Sequence, residues 1–243
     1  MIRDVRVFRD LDALSAAAAV LVIDAARQAI QDRGQFLFAL SGGTTPATLY
    51  RLLGGSTYGG QMDWFRVHVF WGDERCVPPE DAANSYGQAR NAFLGRVPVL
   101  THNIHRIQSE LDPRVAADNY SRVLGDFASP PLGWPRFVLV LLGLGEDGHT
   151  ASLFPGSDPD VKATTLVVKA EYQDRPATRV TLTPSVFNSA RRIVFLVSGA
   201  SKAKVLARVL YGDFRPAALP AQRIQPADGE MIWMVDQEAA SAA

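Results

Sequence analysis

One stretch limits the architecture more than any other: Phe137 to Gly156, FVLVLLGLGEDGHTASLFPG. Its apolar opening, Phe137 to Leu142, reads as a strand buried on both faces. Gly143, Gly145 and Gly148 follow at once, with Glu146, Asp147 and His149 set among them. Thr150 to Leu153 is expected to make a short helical turn, stopped by Pro155 and Gly156. A doubly buried strand belongs in a parallel α/β sheet, where ligands bind beyond the carboxyl ends of the strands. Gly-x-Gly alone is an ordinary turn, since Asp and Gly are common there. Asp147-Gly148-His149 in this position reads as functional, because sites concentrate on loops carried by a rigid scaffold.

The rest of the chain alternates strand and helix. Val5 to Phe8 reads as a short edge strand. Asp10 or Asp12 caps an Ala-rich helix running to about Arg33, and Gly34 ends it. Phe36 to Leu40 is a buried strand running into Ser41-Gly42-Gly43-Thr44-Thr45-Pro46 and a helix through Leu53. Phe65 to Trp71 is a strand ending on Gly72-Asp73-Glu74-Arg75. Asn84 or Ser85 caps a helix to about Leu94, and Asp112 caps one from Pro113 to Phe127. Thr165 to Ala170 and Val180 to Leu182 are strands, with Arg179 at the start of the second. Thr183-Pro184 opens a helix by cap and first-turn proline. Ile193 to Val197 is a strand leading into Ser198-Gly199-Ala200-Ser201-Lys202 and a helix to Leu210. Met231 to Val235 closes the sheet, and the Ala-rich tail is expected to fray. There is no repeat, linker or boundary. The pattern predicts one domain over residues 1–243, a doubly wound, mostly parallel α/β sheet with helices on both faces.

Composition excludes several classes. Lys+Arg and Asp+Glu are 25 each, so the formal charge is zero and no basic excess points to nucleic acid or a membrane surface. Cys76 is the one cysteine, which fits a reducing compartment and a buried small side chain. No apolar stretch reads as the roughly 18 to 20 residues of a membrane span, and MIRDVRVFRD lacks the apolar core of a secretion signal. The expectation is a soluble cytoplasmic protein, monomeric or weakly self-associating. His102 and His105 flank Ile104 in what looks like a short strand. They lack helical ligand spacing and further ligands, so no metal is expected. His68, within its strand, reads as a core or face histidine.

Four strand ends then carry polar loops: 41–45, 73–75, 147–149 and 198–202. In a parallel sheet all four face one edge. Ser41, Gly42, Gly43 and Thr44 present small residues with bare N–H groups ahead of a helix, an anion site. The turn is neither a Walker A loop nor Gly-x-Gly-x-x-Gly; a plain tight turn is the alternative. Asp73 and Arg75 read either as site residues or as a solvated turn. Lys202 sits in the first turn of its helix against the dipole, which an arriving anion would explain. His149 suits a general base, oriented by Asp147 or Glu146. No Gly-x-Ser-x-Gly elbow is present, so water rather than a side chain is the expected nucleophile, acting on a small phosphorylated substrate.

These motifs together resemble the 6-phosphogluconolactonase family, in the wider group that includes glucosamine-6-phosphate deaminases. The residues that carry the resemblance are Ser41 to Pro46, Trp71 to Arg75, Gly143 to Pro155, Arg179 to Thr183 and Ser198 to Lys202, spread in order over nearly the whole chain. The resemblance implies a Rossmann-like fold, hydrolysis of 6-phosphoglucono-1,5-lactone, and no required cofactor. It implies that His149 takes the water proton, while Arg75, Lys202 and the Ser41–Thr45 turn grip phosphate and substrate oxygens. Arg179 carries over with an ordinary edge-strand arginine as the alternative, and Asp73 either binds substrate or braces Arg75. Two departures separate the chain from the deaminases, as that family's pattern implies: Phe154 stands where they place a glutamate, and Arg75 where they place a tyrosine. A sugar-phosphate sensor of related fold would want a DNA-binding extension, and the sequence has none.

Overall fold

The computed structural model describes residues 4–158, 161–170 and 177–242. Along the chain these form β1 (Asp4–Phe8), α1 (Leu11–Arg33), β2 (Phe36–Leu40), α2 (Thr44–Leu53), β3 (Val67–Trp71), β4 (Asp73–Arg75), α3 (Ser85–Ala89), α4 (Pro113–Asp126), β5 (Leu139–Leu142), β6 (Thr165–Lys169), β7 (Thr178–Leu182), α5 (Pro184–Asn188), β8 (Arg192–Val197), α6 (Ala203–Tyr211) and β9 (Glu230–Asp236). Six strands make a sheet in the order β1-β9-β8-β5-β2-β3, and every pair in it is parallel. From β2 the chain proceeds to β3 on one side; β5, β8 and β9 build outward on the other. The direction of winding therefore reverses between β2 and β5, and a crevice opens beyond their carboxyl ends.

The central strands explain why the sheet is covered on both sides. Consecutive strand residues point to opposite faces. Every residue of β2 (FLFAL) and β5 (LVLL) is buried, so neither face meets water there. One apolar cluster extends from Leu14 in α1 to Ala239 beyond β9.

α1 starts at Asp10, whose carboxylate accepts the N–H of Ala13 at 2.8 Å, and ends on Gly34 at φ 76°. At 23 residues it is long and apolar enough to cross a bilayer, contrary to the expectation from the apolar runs. Its small-residue stripe instead lies on the sheet: Ala18, Ala19, Val22 and Ala26 are at most 1% exposed, and the helix meets β1, β2 and β9.

Several local expectations are corrected. Asp73 to Arg75 is a strand, β4, antiparallel to β7, which pairs in turn with β6 in a second, three-stranded sheet. Arg179 therefore lies on a middle strand, not an edge. Phe65 belongs to a 3-10 turn capped by Asp63, and β3 begins only at Val67. Thr150 to Leu153 is not helical: Thr150 and Leu153 form an antiparallel bridge around Ala151 at φ 47°. Cross-loop bonds hold that shape, from Thr150 Oγ1 to Gly143 O at 2.8 Å and from Ser152 Oγ to Asp73 Oδ2 at 2.6 Å. Ile104 makes a single bridge to Val69 rather than a strand. Thr183 precedes α5 without capping it, because its hydroxyl donates to Ala163 O instead. The tail folds back, with Ala239 fully buried and its N–H bound to Asp236. Cys76 is only half-buried.

Candidate active site

The loops after β2, β3, β5 and β8 meet around one cavity of about 370 Å³. Ser41, Gly42, Gly43 and Thr44 line one wall, and Asp73 and Arg75 a second. Asp147 and His149 form a third, with Arg179 and Lys202 completing the enclosure. All the residues singled out from the sequence for the site thus reach the same space.

The first wall is shaped by backbone. Gly43, at φ 110°, precedes α2 with no side-chain cap, so the N–H groups of the first helical turn are left for something else. Tyr50, one turn into α2, clamps the entry: its hydroxyl donates to Ser41 O at 2.6 Å and accepts from Ser41 N at 3.1 Å.

The second wall is β4. Alternation along a strand puts Asp73 and Arg75 on the cavity side and Glu74 behind. Asp73 is 6% exposed and takes the hydroxyl of Ser152 on Oδ2. The Arg75 guanidinium donates through Nη1 to Ala83 O at 2.7 Å. Glu74 is 1% exposed. Burial pushes its carboxyl up to about 7, against three backbone N–H bonds that pull it down.

The third wall carries the imidazole. Gly148, at φ 88°, turns the chain so that His149 folds back over Gly145; any Cβ on Gly145 would lie 2.0 Å from Nδ1. His149 Nδ1 is 2.5 Å from Asp147 Oδ1. The Glu146 carboxylate is 3.6 Å from Lys202 Nζ. Phe154 packs its ring 4.9 Å from that of His149, and the Arg179 guanidinium lies 5.5 Å from the Phe154 centroid. Arg179 is 3% exposed.

The β8 turn is pinned from below. Asp236, at the end of β9, accepts the hydroxyl of Ser198 and the N–H of Gly199. Lys202 occupies the N-cap of α6.

Tyr50, Ser152, Phe154 and Asp236 are supports that motif reading did not identify as such. Ser152 and Phe154 lay within the quoted motif. Asp236 had only its place at the end of a buried strand as a signal. Among the described residues no group of three His, Cys, Asp or Glu side chains could hold a metal ion.

A carboxylate-bonded imidazole in a cavity lined by three cations, Arg75, Arg179 and Lys202, and by an uncapped helix start suits proton transfer on a small anionic molecule. Comparison with known proteins agrees. Residues 9–233 match the family of glucosamine-6-phosphate isomerases/6-phosphogluconolactonase. A 6-phosphogluconolactonase of Synechocystis sp. is 40% identical, with 91% of this chain and 90% of the relative covered. The solved 6-phosphogluconolactonase from Trypanosoma brucei superposes with a TM-score of 0.87 at 27% identity, covering 99% of this chain and 98% of that one. A monomeric glucosamine-6-phosphate deaminase shares the fold, with a TM-score of 0.85 at 21% identity over 99% of this chain and 100% of that one.

Proposed function

This chain belongs to the family of glucosamine-6-phosphate isomerases and 6-phosphogluconolactonases, and from that premise we propose how its cavity hydrolyses 6-phospho-D-glucono-1,5-lactone to 6-phospho-D-gluconate, the second step of the oxidative pentose phosphate pathway. The contact between His149 and Asp147 carries the reading. With Nδ1–H donating to the Asp147 carboxylate, the basic lone pair is on Nε2. Nε2 takes a proton from water as the water oxygen attacks the lactone carbonyl. The carbonyl electrons move to oxygen, and nearby N–H donors of the cavity loops stabilise the oxyanion. On collapse the bond from the carbonyl carbon to the ring oxygen breaks, and the imidazolium returns its proton to that oxygen. The acid released then ionises.

The phosphate end is held by the Ser41–Thr45 turn, Lys202 and Arg75. Gly42, Gly43 and Thr44 supply backbone and hydroxyl donors, while the cations supply charge. Asp73 accepts from a sugar hydroxyl, and Arg179, which lines the same cavity, donates to a substrate oxygen. Fixing the distant phosphate orients the carbonyl over the base, an effect on the order of several kcal/mol. The chemistry needs no cofactor.

Phe154 against the imidazole favours the lactonase over the deaminase reading, because an apolar ring there cannot assist proton relay to an amino sugar. We place the protein in the cytoplasm as a monomer or weak homo-oligomer of one domain, with neither nucleic acid nor membrane as partner. Zero net charge and the seating of α1 on the sheet support this. The direct test is a pH-stat assay on freshly prepared lactone, run beside ammonia release from glucosamine 6-phosphate. Acid release without ammonia is the expected result; ammonia release would overturn the assignment.

A further inference from the structure

Glu74 takes no part in the mechanism above, yet its carboxylate is buried and bonded on both oxygens. Its Oε1 accepts the N–H of Arg75 at 2.9 Å and of Ser85 at 2.7 Å, and its Oε2 accepts the N–H of Tyr86 at 2.8 Å. One side chain thus ties β4 to the start of α3. A buried carboxylate is costly to keep unless it is hydrogen-bonded; here three backbone N–H groups bind it, one on cavity-lining Arg75 and two at the start of α3.

Residues 83–86 touch two walls of the site at once. The Ala83 carbonyl receives Arg75 Nη1 at 2.7 Å. The Ser85 hydroxyl, with no hydrogen-bond partner in a residue 2% exposed, is pressed against Gly42. A Cβ on Gly42 would fall 2.2 Å from Ser85 Oγ and 3.5 Å from Arg75 Nη1. Only a bare glycine lets the Ser41–Thr45 turn lie this close. Any shift of 83–86 must therefore move the Arg75 guanidinium and the back of the anion-holding turn together.

We infer that Glu74 is a positioning residue for the phosphate grip: by anchoring segment 83–86 it sets the distance between Arg75 and the Ser41–Thr45 turn. The inference rests on the assignment of Arg75 and that turn to the substrate phosphate. The Glu74 side chain never meets substrate. It acts through Arg75, whose guanidinium is held by the Ala83 carbonyl of that segment.

The test is a double-mutant cycle on KM for the lactone, using Glu74→Gln, Arg75→Ala and the double variant. Glutamine keeps the shape but has one acceptor oxygen, so it cannot bind all three N–H groups. Glu74→Gln is expected to raise KM about tenfold and change kcat less than about threefold, with little further rise in KM on the Arg75→Ala background. A role confined to stability would lower the melting temperature and the active fraction, reducing kcat while leaving KM alone. An unchanged KM in Glu74→Gln, or KM effects that multiply in the double variant, overturns the inference. If Arg75→Ala itself leaves KM unchanged, the Arg75 assignment fails, and the relay through it fails with it. Should Glu74→Gln not fold, Glu74→Asp keeps the charge but shortens the reach. The same cycle then applies, with a smaller rise in KM expected and the same lack of additivity.

Discussion

Asp147 Oδ1 binds His149 twice, accepting the ring Nδ1–H at 2.5 Å and the backbone N–H at 3.0 Å. One oxygen therefore sets both the tautomer of the imidazole and the direction in which its backbone leaves the turn. Removing the charge while keeping the shape separates these effects. Asp147→Asn should keep the backbone bond but lose the preference for Nδ1–H, lowering kcat by about 10- to 1,000-fold with KM little changed. His149→Ala should lose about 100- to 10,000-fold in kcat yet still bind 6-phosphogluconate. Steady-state kinetics and calorimetric titration of the product check both; near-normal kcat in His149→Ala would remove the base assignment.

Lys202 faces the cavity from the N-cap of α6, where its charge opposes the helix dipole. Its neighbour Glu146 is 67% exposed, and so offers little compensation. Lys202→Ala should raise KM about tenfold and leave kcat within about threefold. An unchanged KM would take Lys202 out of the phosphate grip.

Glu74 predicts a pH signature in stability. Its folded value of about 7 lies above the ordinary 4.5, so the folded state holds a proton that the unfolded chain has lost between those pH values. The stabilisation is complete below pH 4.5 and is lost as pH rises through 7, an amount of roughly 3 kcal/mol. His105 works in the opposite sense. Burial and neighbouring His68 and His102 lower it to about 4, so its neutral ring favours the fold increasingly up to pH 6.5. Comparing urea unfolding of the wild type with Glu74→Gln cancels the histidine part. The stability difference should shift against the wild type across pH 4.5 to 7. Asp73, Cys76, Tyr120 and Arg106 face the same carboxyl and stay in both proteins.

Gly148 combines φ 88° with close approach: a Cβ there would sit 2.6 Å from Leu219 Cδ2 and 3.3 Å from Leu219 Cα. Gly148→Ala should cost about 2 to 3 kcal/mol by thermal unfolding and lower kcat as well, since His149 is the next residue. Full activity with an unchanged melting temperature would contradict this account of the turn.

Much of this was legible in the chain itself. Phe36 to Leu40 is a strand with the expected bounds because a short apolar run before a glycine turn has few alternatives. The four polar loops meet because parallel strands present their carboxyl ends to one edge. β4 escaped notice because Asp73, Glu74 and Arg75 have no intrinsic strand signal; pairing with β7 and the bonds to Glu74 make it one. The supports were harder still. Ser152 finds Asp73 across 79 residues, and Ser198 finds Asp236 across 38, distances over which no local pattern operates. Thr150 to Leu153 looked helical for a related reason: its side chains bond across the loop instead of along it.

β9, near the end of the chain, lies between β8 and β1. β1 thus has no neighbour in this sheet until the chain has been made through β9. Asp236, which ties the Ser198 and Gly199 turn to the end of β9, is carried by the same strand. Completion of the sheet and completion of the Lys202 wall therefore wait on one strand, and a nascent chain stalled before β9 would lack both.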